Sequence, residues 1–108
     1  MNLVRSLFAF ALCLILTLTG ITYAQDSLNL RIMSFNVRYG TTDDGEDKWE
    51  LRKGMVFDLL RREAPDILGV QEVLRFQLDE LNDALPDYYE VGVGRDDGKT
   101  AGEYSAIL

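Results

Sequence analysis

Two polar side chains stand at the ends of apolar runs where a buried strand has no use for them. Asn36 follows an apolar strand in Met33-Ser34-Phe35-Asn36-Val37-Arg38, and Glu72 follows Ile67-Leu68-Gly69-Val70-Gln71. Parallel neighbouring strands joined by one helix would bring both residues to the same sheet rim. A carboxylate beside a carboxamide is a partial oxygen shell for a hard divalent cation such as Mg²⁺, which takes few protein ligands. A structural account also stands: Asn36 shapes a loop, and Glu72 supports the N-terminus of the following helix.

Two arginines pose a similar choice. Arg38 and Arg95 lie in polar segments, and a guanidinium fork meets a phosphate through two parallel hydrogen bonds. Each could instead order its own loop, Arg95 by pairing with Asp96, Asp97 or Glu103. The acidic run Asp43-Asp44-Gly45-Glu46-Asp47 lacks the ligand spacing of a calcium loop and reads as a solvated turn.

These residues need elements to position them. Leu28 to Val37 is expected as a strand, with Leu28, Leu30 and Ile32 on one face and Met33, Phe35 and Val37 on the other; its second half reads as buried on both sides. Arg38 to Lys48 is a loop, with Asp47 available to cap a helix from Trp49 to Ala64. In that helix Leu51, Met55 and Leu59 form one apolar row and Val56 and Leu60 the next, while Arg52, Lys53, Arg61 and Arg62 take the wet side. Pro65 ends it, because the residue before a proline avoids helical geometry. Trp49 is expected to pack at the helix entry. A strand from Ile67 to Gln71 follows, then a helix marked by Leu74, Leu78, Leu81 and Leu85 and stopped by Pro86. Tyr88 to Val93 alternates as a third strand, Gly94 to Gly102 is a long flexible loop, and Glu103 to Leu108 begins a fourth strand. Leu108 falls within an apolar run without a turn signal, so the reading is of a chain cut inside a strand.

The first 24 residues have a different character. Arg5 precedes an almost unbroken apolar stretch from Leu7 to Ile21, and Thr22-Tyr23-Ala24 gives a small-residue cleavage pattern before Gln25. This is the layout of a secretory signal peptide; the apolar stretch is shorter than the ~20 residues of a spanning helix. Residues 1–24 are therefore read as a signal and 25–108 as the mature part, secreted or periplasmic and without a transmembrane helix. Cys13, the one cysteine, leaves with the signal, so no disulfide framework remains. Arg5 leaves as well and takes the net charge from −7 to −8. Such a balance repels nucleic-acid phosphates and argues against a non-specific DNA binder, though a metal could still draw a phosphate into a local site.

The strings LRIMSFNVRYG, APDILGVQEV and VGRDDGKTAGEYSAIL together resemble the first three motif regions of the endonuclease/exonuclease/phosphatase superfamily, in the family's order and at compatible spacing. Asn36-Val37-Arg38 is similar to the Asn-x-Arg of the pancreatic-deoxyribonuclease branch, in contrast to the Asn-x-Asp of the apurinic-endonuclease branch. Trp49 to Lys53 resembles a helix start of secreted bacterial members, and GRDDGKTAGEY a subgroup of unassigned substrate.

The resemblance implies an α+β fold of the deoxyribonuclease-I-like type, a four-layer α/β/β/α sandwich of which Leu28 to Leu108 would supply the first third. It implies metal-assisted hydrolysis of a phosphate ester, with Glu72 as metal ligand and Asn36 orienting metal and phosphate as the catalytic pair. Arg38 and Arg95 are read as the substrate contacts on their guanidinium chemistry, with the loop-ordering alternative open. The cation would be Mg²⁺, or another such as Mn²⁺ or Ca²⁺, and the substrate a phosphorylated small molecule, a phospholipid or a nucleic acid. No stable protein partner is implied. The family's water-activating His–Asp pair has no counterpart here, since the chain contains no histidine; the expectation is that it lies beyond Leu108 and that this stretch alone is inactive. The alternative is a secreted binding domain that retains the fold without the chemistry.

The exported protein is expected to start at Gln25. N-terminal sequencing of secreted material checks this, and recovery of Met1 would point to an uncleaved anchor.

Overall fold

Strands and helices alternate along a computed structural model that describes residues 27–108. The expected signal, 1–24, and its cleavage point lie outside the described residues. The order is β1 (Ile32–Asn36), a 3-10 turn (Gly45–Asp47), α1 (Trp49–Glu63), β2 (Ile67–Val73), α2 (Arg75–Ala84) and β3 (Tyr104–Ile107). The three strands make one mixed sheet in the order β1-β2-β3, with β1 parallel and β3 antiparallel to β2. This is the expected α+β class, and the described residues supply one sheet and one helical layer of it. Among them no helix is long and apolar enough to cross a membrane.

Both helices serve one face of the sheet. Leu68 and Val70 of β2 and Tyr104 and Ala106 of β3 form a single buried cluster with Val56 and Leu60 of α1 and Leu78 and Leu81 of α2. Trp49 is buried as expected, its ring edge-on to Phe57. Its indole N–H donates to Glu80 Oε2 at 2.6 Å, and Lys53 Nζ donates to Glu80 Oε1 at 2.7 Å, so one carboxylate of α2 ties down α1.

Several expectations need correction. The strand starts at Ile32, four residues late, because pairing begins where Ile32 meets Ile67; Leu28 is 81% exposed. The strand is not buried on both sides. Ile32 is 68% exposed, since among the described residues nothing packs on the face opposite the helices. In α1 the row of Leu51 and Met55 is exposed, and the core stripe is Trp49, Val56 and Leu60. Periodicity had defined the rows but not which one the sheet would select. Asp47 does not cap α1: it lies in the 3-10 turn, and Lys48 takes the N-cap position with no side-chain bond. The helix stops before Pro65 as expected, with Ala64 turned into the left-handed region at φ 41°.

The segment Tyr88 to Val93 forms no continuous strand. It touches β3 through one bridge, Val91 to Ile107, with a second at Gly94 to Tyr104. Gly92 passes so close to β3 that a Cβ there would lie 2.9 Å from Ala106 Cβ. Residues 94–102 are tied by their own hydrogen bonds. Asp97 Oδ1 accepts from the backbone of Lys99 and Ala101, which holds its carboxyl below the ordinary range, and Asp96 N donates to Ala101 O.

Glu90 anchors the start of this region. Arg75 donates to both its oxygens, at 2.6 and 2.7 Å, and Asn82 adds a third bond. The hydrogen bonds from Arg75, ahead of the opposing cost of burial, hold the Glu90 carboxyl below its ordinary value of 4.5. A depressed carboxyl contributes stability that is complete above the unfolded value and lost as pH falls through the folded one. Glu90→Gln should thus lower stability at pH 7 by about 1.5–3 kcal/mol, the range for charged hydrogen bonds. In denaturant titrations the gap from wild type should close as pH drops below that ordinary value.

Candidate functional site

The geometry of the rim follows from the parallel ladder. Asn36 is paired with Gln71 and Val37 N donates to Gln71 O at 3.1 Å, so Glu72 emerges one residue beyond Asn36's partner. Strict alternation would send Glu72 the same way as Leu68 and Val70, into the apolar layer. It does not go there. Glu72 has φ 57°, and the β2–β3 register shifts between Val70 and Val73. This bulge places an extra residue in β2, turns Glu72 toward the open face, and returns Val73 to the core. A left-handed non-glycine residue costs about 1–3 kcal/mol and persists only where its surroundings enforce it.

Asn36 Nδ2 donates to Glu72 Oε1 at 2.7 Å. Asn36 Oδ1 accepts from the backbone N–H of Arg38 at 2.8 Å. The amide is thereby oriented, since an ionised carboxylate only accepts and a backbone N–H only donates. Arg38 is left-handed as well, φ 65°. Its guanidinium turns away to grip Asp44 at 2.9 and 3.1 Å, and that bond holds the Asp44 carboxyl below its ordinary value.

A concavity of about 610 Å³ opens over the pair, lined by Asn36, Glu72, Arg95, Glu103, Val91 and Val93 among others. Arg95 Nη1 donates to Glu103 Oε2, and its Nε reaches toward Asp96. Of the four residues singled out from sequence, Asn36 and Glu72 are therefore in contact, Arg95 shares their cavity, and Arg38 meets them through its backbone. Gln77 is a fifth that sequence reading passed over. It is fully buried, and its Oε1 accepts from Leu74 N at 3.0 Å at the start of α2. Its signal was a glutamine at the third helical position, hidden because the capping residue is leucine in place of serine or threonine.

Among the described residues no group of three or more His, Cys, Asp or Glu could hold a metal. Of the pair, Glu72 presents the oxygens, since Asn36 turns its Nδ2 to the carboxylate while its Oδ1 accepts from Arg38 N. One carboxylate backed by a carboxamide suits a cation that keeps most of its waters, as Mg²⁺ does, and falls short of an all-protein cage.

No protein-family model and no curated protein matches the chain. Solved structures do. An endonuclease/exonuclease/phosphatase from Bacteroides vulgatus is 43% identical with a TM-score of 0.72, over 75% of this chain. A family protein from Bacteroides thetaiotaomicron is 40% identical over 72%, TM-score 0.69, and that organism's mannosyl-6-phosphatase is 40% identical over 73%, TM-score 0.70. The chain belongs to the endonuclease/exonuclease/phosphatase family. It spans about 31% of the length of the first of these structures and 30% of the other two.

The rim of this family member is closely packed from below at Gly40. A Cβ there would lie 2.4 Å from Gln77 Cδ and 2.6 Å from Phe76 Cζ. Gly40→Ala should therefore overpack the loop and cost about 1–3 kcal/mol, seen as a lower denaturant midpoint with an unchanged slope.

Proposed function

We infer that the whole protein is a metal-dependent phosphoric ester hydrolase. The observation that carries this reading is the Asn36–Glu72 contact of 2.7 Å, held at a left-handed Glu72 and facing the cavity that Arg95 lines. The similarity to endonuclease/exonuclease/phosphatase structures supports it. Glu72 would hold the cation, of which Mg²⁺ is the first choice and Mn²⁺ or Ca²⁺ the alternatives. When bound, such a cation neutralises charge developing on the phosphate and on the leaving oxygen.

The chain's own residues prepare this site. Asn36 occupies Glu72 Oε1 with a donated hydrogen bond and so fixes the direction of the carboxylate. Arg95 offers a guanidinium at the cavity wall, where an incoming phosphate would compete with Glu103 for it. Arg38 reaches substrate only if it releases Asp44. For substrate, a phosphorylated small molecule of sugar type is favoured over a phospholipid or a nucleic acid. One neighbour is a mannosyl-6-phosphatase, and the net charge of −8 on this stretch after removal of the signal disfavours polyanions. The site of action proposed is outside the cytoplasm, following the signal at 1–24. The alternative reading is a secreted binding domain that retains the fold without the chemistry, for which wild-type turnover would be absent.

Glu72→Gln in the whole protein separates these readings. The variant keeps size and some hydrogen bonding but removes the charge. Mg²⁺ binding by calorimetry should weaken, and turnover should fall about 100- to 1,000-fold, about 3–4 kcal/mol, while the melting temperature stays close to wild type. If Glu72 only supports the N-terminus of α2, stability falls by about 0.3–1 kcal/mol and both turnover and the Mg²⁺ midpoint stay put.

A further inference from the structure

Both helices reach the rim through one peptide group. Gln77 of α2 is fully buried, and while its Oε1 caps the helix, its Nε2 donates to Arg38 O at 3.0 Å. Arg52 of α1 lies over the Trp49 ring, with its Cζ 5.1 Å from the centroid. From there Nη2 donates to Val37 O and, at 3.4 Å, to Arg38 O, while Nε donates to Asp47 O at 2.8 Å. The Arg38 carbonyl thus takes a donor from each helix. The same residue has φ 65°, and its N–H donates to Asn36 Oδ1.

We propose that Gln77, seconded by Arg52, is a positioning residue that orients the Asn36 amide toward Glu72 by clamping the left-handed Arg38 backbone. The physical steps are local. A non-glycine residue does not stay at φ 65° unaided, and hydrogen bonds on its carbonyl resist its return to the extended region. With Arg38 held, its N–H occupies Asn36 Oδ1 and leaves only Nδ2 to face the carboxylate. Release the clamp, and Oδ1 loses its donor and the amide is free to rotate. Gly40 leaves the space that Gln77 fills, since any side chain there would collide with it. Partners of this outer kind commonly contribute about 10- to 100-fold to metal affinity or activity.

This inference rests on the proposed role of the Asn36–Glu72 pair, and its test includes a readout independent of turnover. Gln77→Glu keeps the acceptor for Leu74 N but has no donor for Arg38 O when ionised. Gln77→Leu removes both. In the whole protein, the Gln77→Glu variant should melt below wild type, since it buries an ionised group, and well below both midpoints it should shift the Asn36 side-chain amide resonances and speed their hydrogen exchange. Its kcat, on a generic probe such as p-nitrophenyl phosphate, should fall about tenfold or more with little change in KM. Arg52→Met, which keeps a stem over Trp49, should move the Asn36 resonances the same way. Lys53→Met, which removes a bond to Glu80 and leaves Trp49 and Arg52 in place, should destabilise without moving them. Unchanged Asn36 resonances in Gln77→Glu overturn the proposal, as does a wild-type kcat in that variant with the resonances shifted. A wild type inactive on phosphate esters would count against the proposed function alone, and the Asn36 signals would then decide the clamp.

Discussion

A carboxylate one residue past Gln71 has two places to go, and the choice shapes the rest of the rim. Leu68 and Val70 face the helices, so unbroken alternation would bury Glu72 among leucines. An unpaired ionised group in an apolar layer costs far more than a polar one, for which transfer alone is roughly 2–7 kcal/mol. A left-handed residue in a bulge costs about 1–3 kcal/mol. The bulge is the cheaper solution, and it also serves the site, because Glu72 then shares the open face with Asn36 and Val73 re-enters the core.

The strained backbone must be held, and the helical layer does so. The Trp49–Glu80–Lys53 contacts lock α1 to α2 across a partly buried interface, and Arg75–Glu90 fastens the segment before β3 to α2. These differ in kind from Arg61–Asp58 and Arg62–Glu63, exposed pairs of the sort that contribute ~0–1 kcal/mol. The core therefore supports two left-handed residues at the rim, Glu72 within the hydrogen-bonded pair and Arg38 bonded to its Asn36 member.

The opposite face of the sheet has another character. Ile32, Ile107, Val91 and Val93 are exposed there, and the polar rim of Asn36 and Glu72 borders them. In sheet-on-sheet packing the inner faces carry side chains of this type. The family relationship agrees with that geometry, since its four-layer architecture has a second sheet, and the solved relatives are about three times as long as the aligned region.

Much of this was legible in the chain itself. Asn36 and Glu72 stood out because polar residues ended apolar runs, and the strand–helix–strand order was enough to expect them side by side. Pro65 and Pro86 marked the helix ends, since proline acts on local geometry alone. What sequence left open depended on neighbours distant along the chain. Whether the row of Leu51 and Met55 or that of Val56 and Leu60 would line the core turned on which side of α1 met the sheet. Tyr88 to Val93 had the alternation of a strand, but it pairs with β3 through the single bridge Val91–Ile107, with Gly92 close against Ala106. Gln77 was passed over because the carbonyl it binds belongs to Arg38, 39 positions away. The residue types were set by sequence, whereas the left-handed turn of Glu72 was decided by tertiary structure, because only the packed helices make the core face forbidden to its charge.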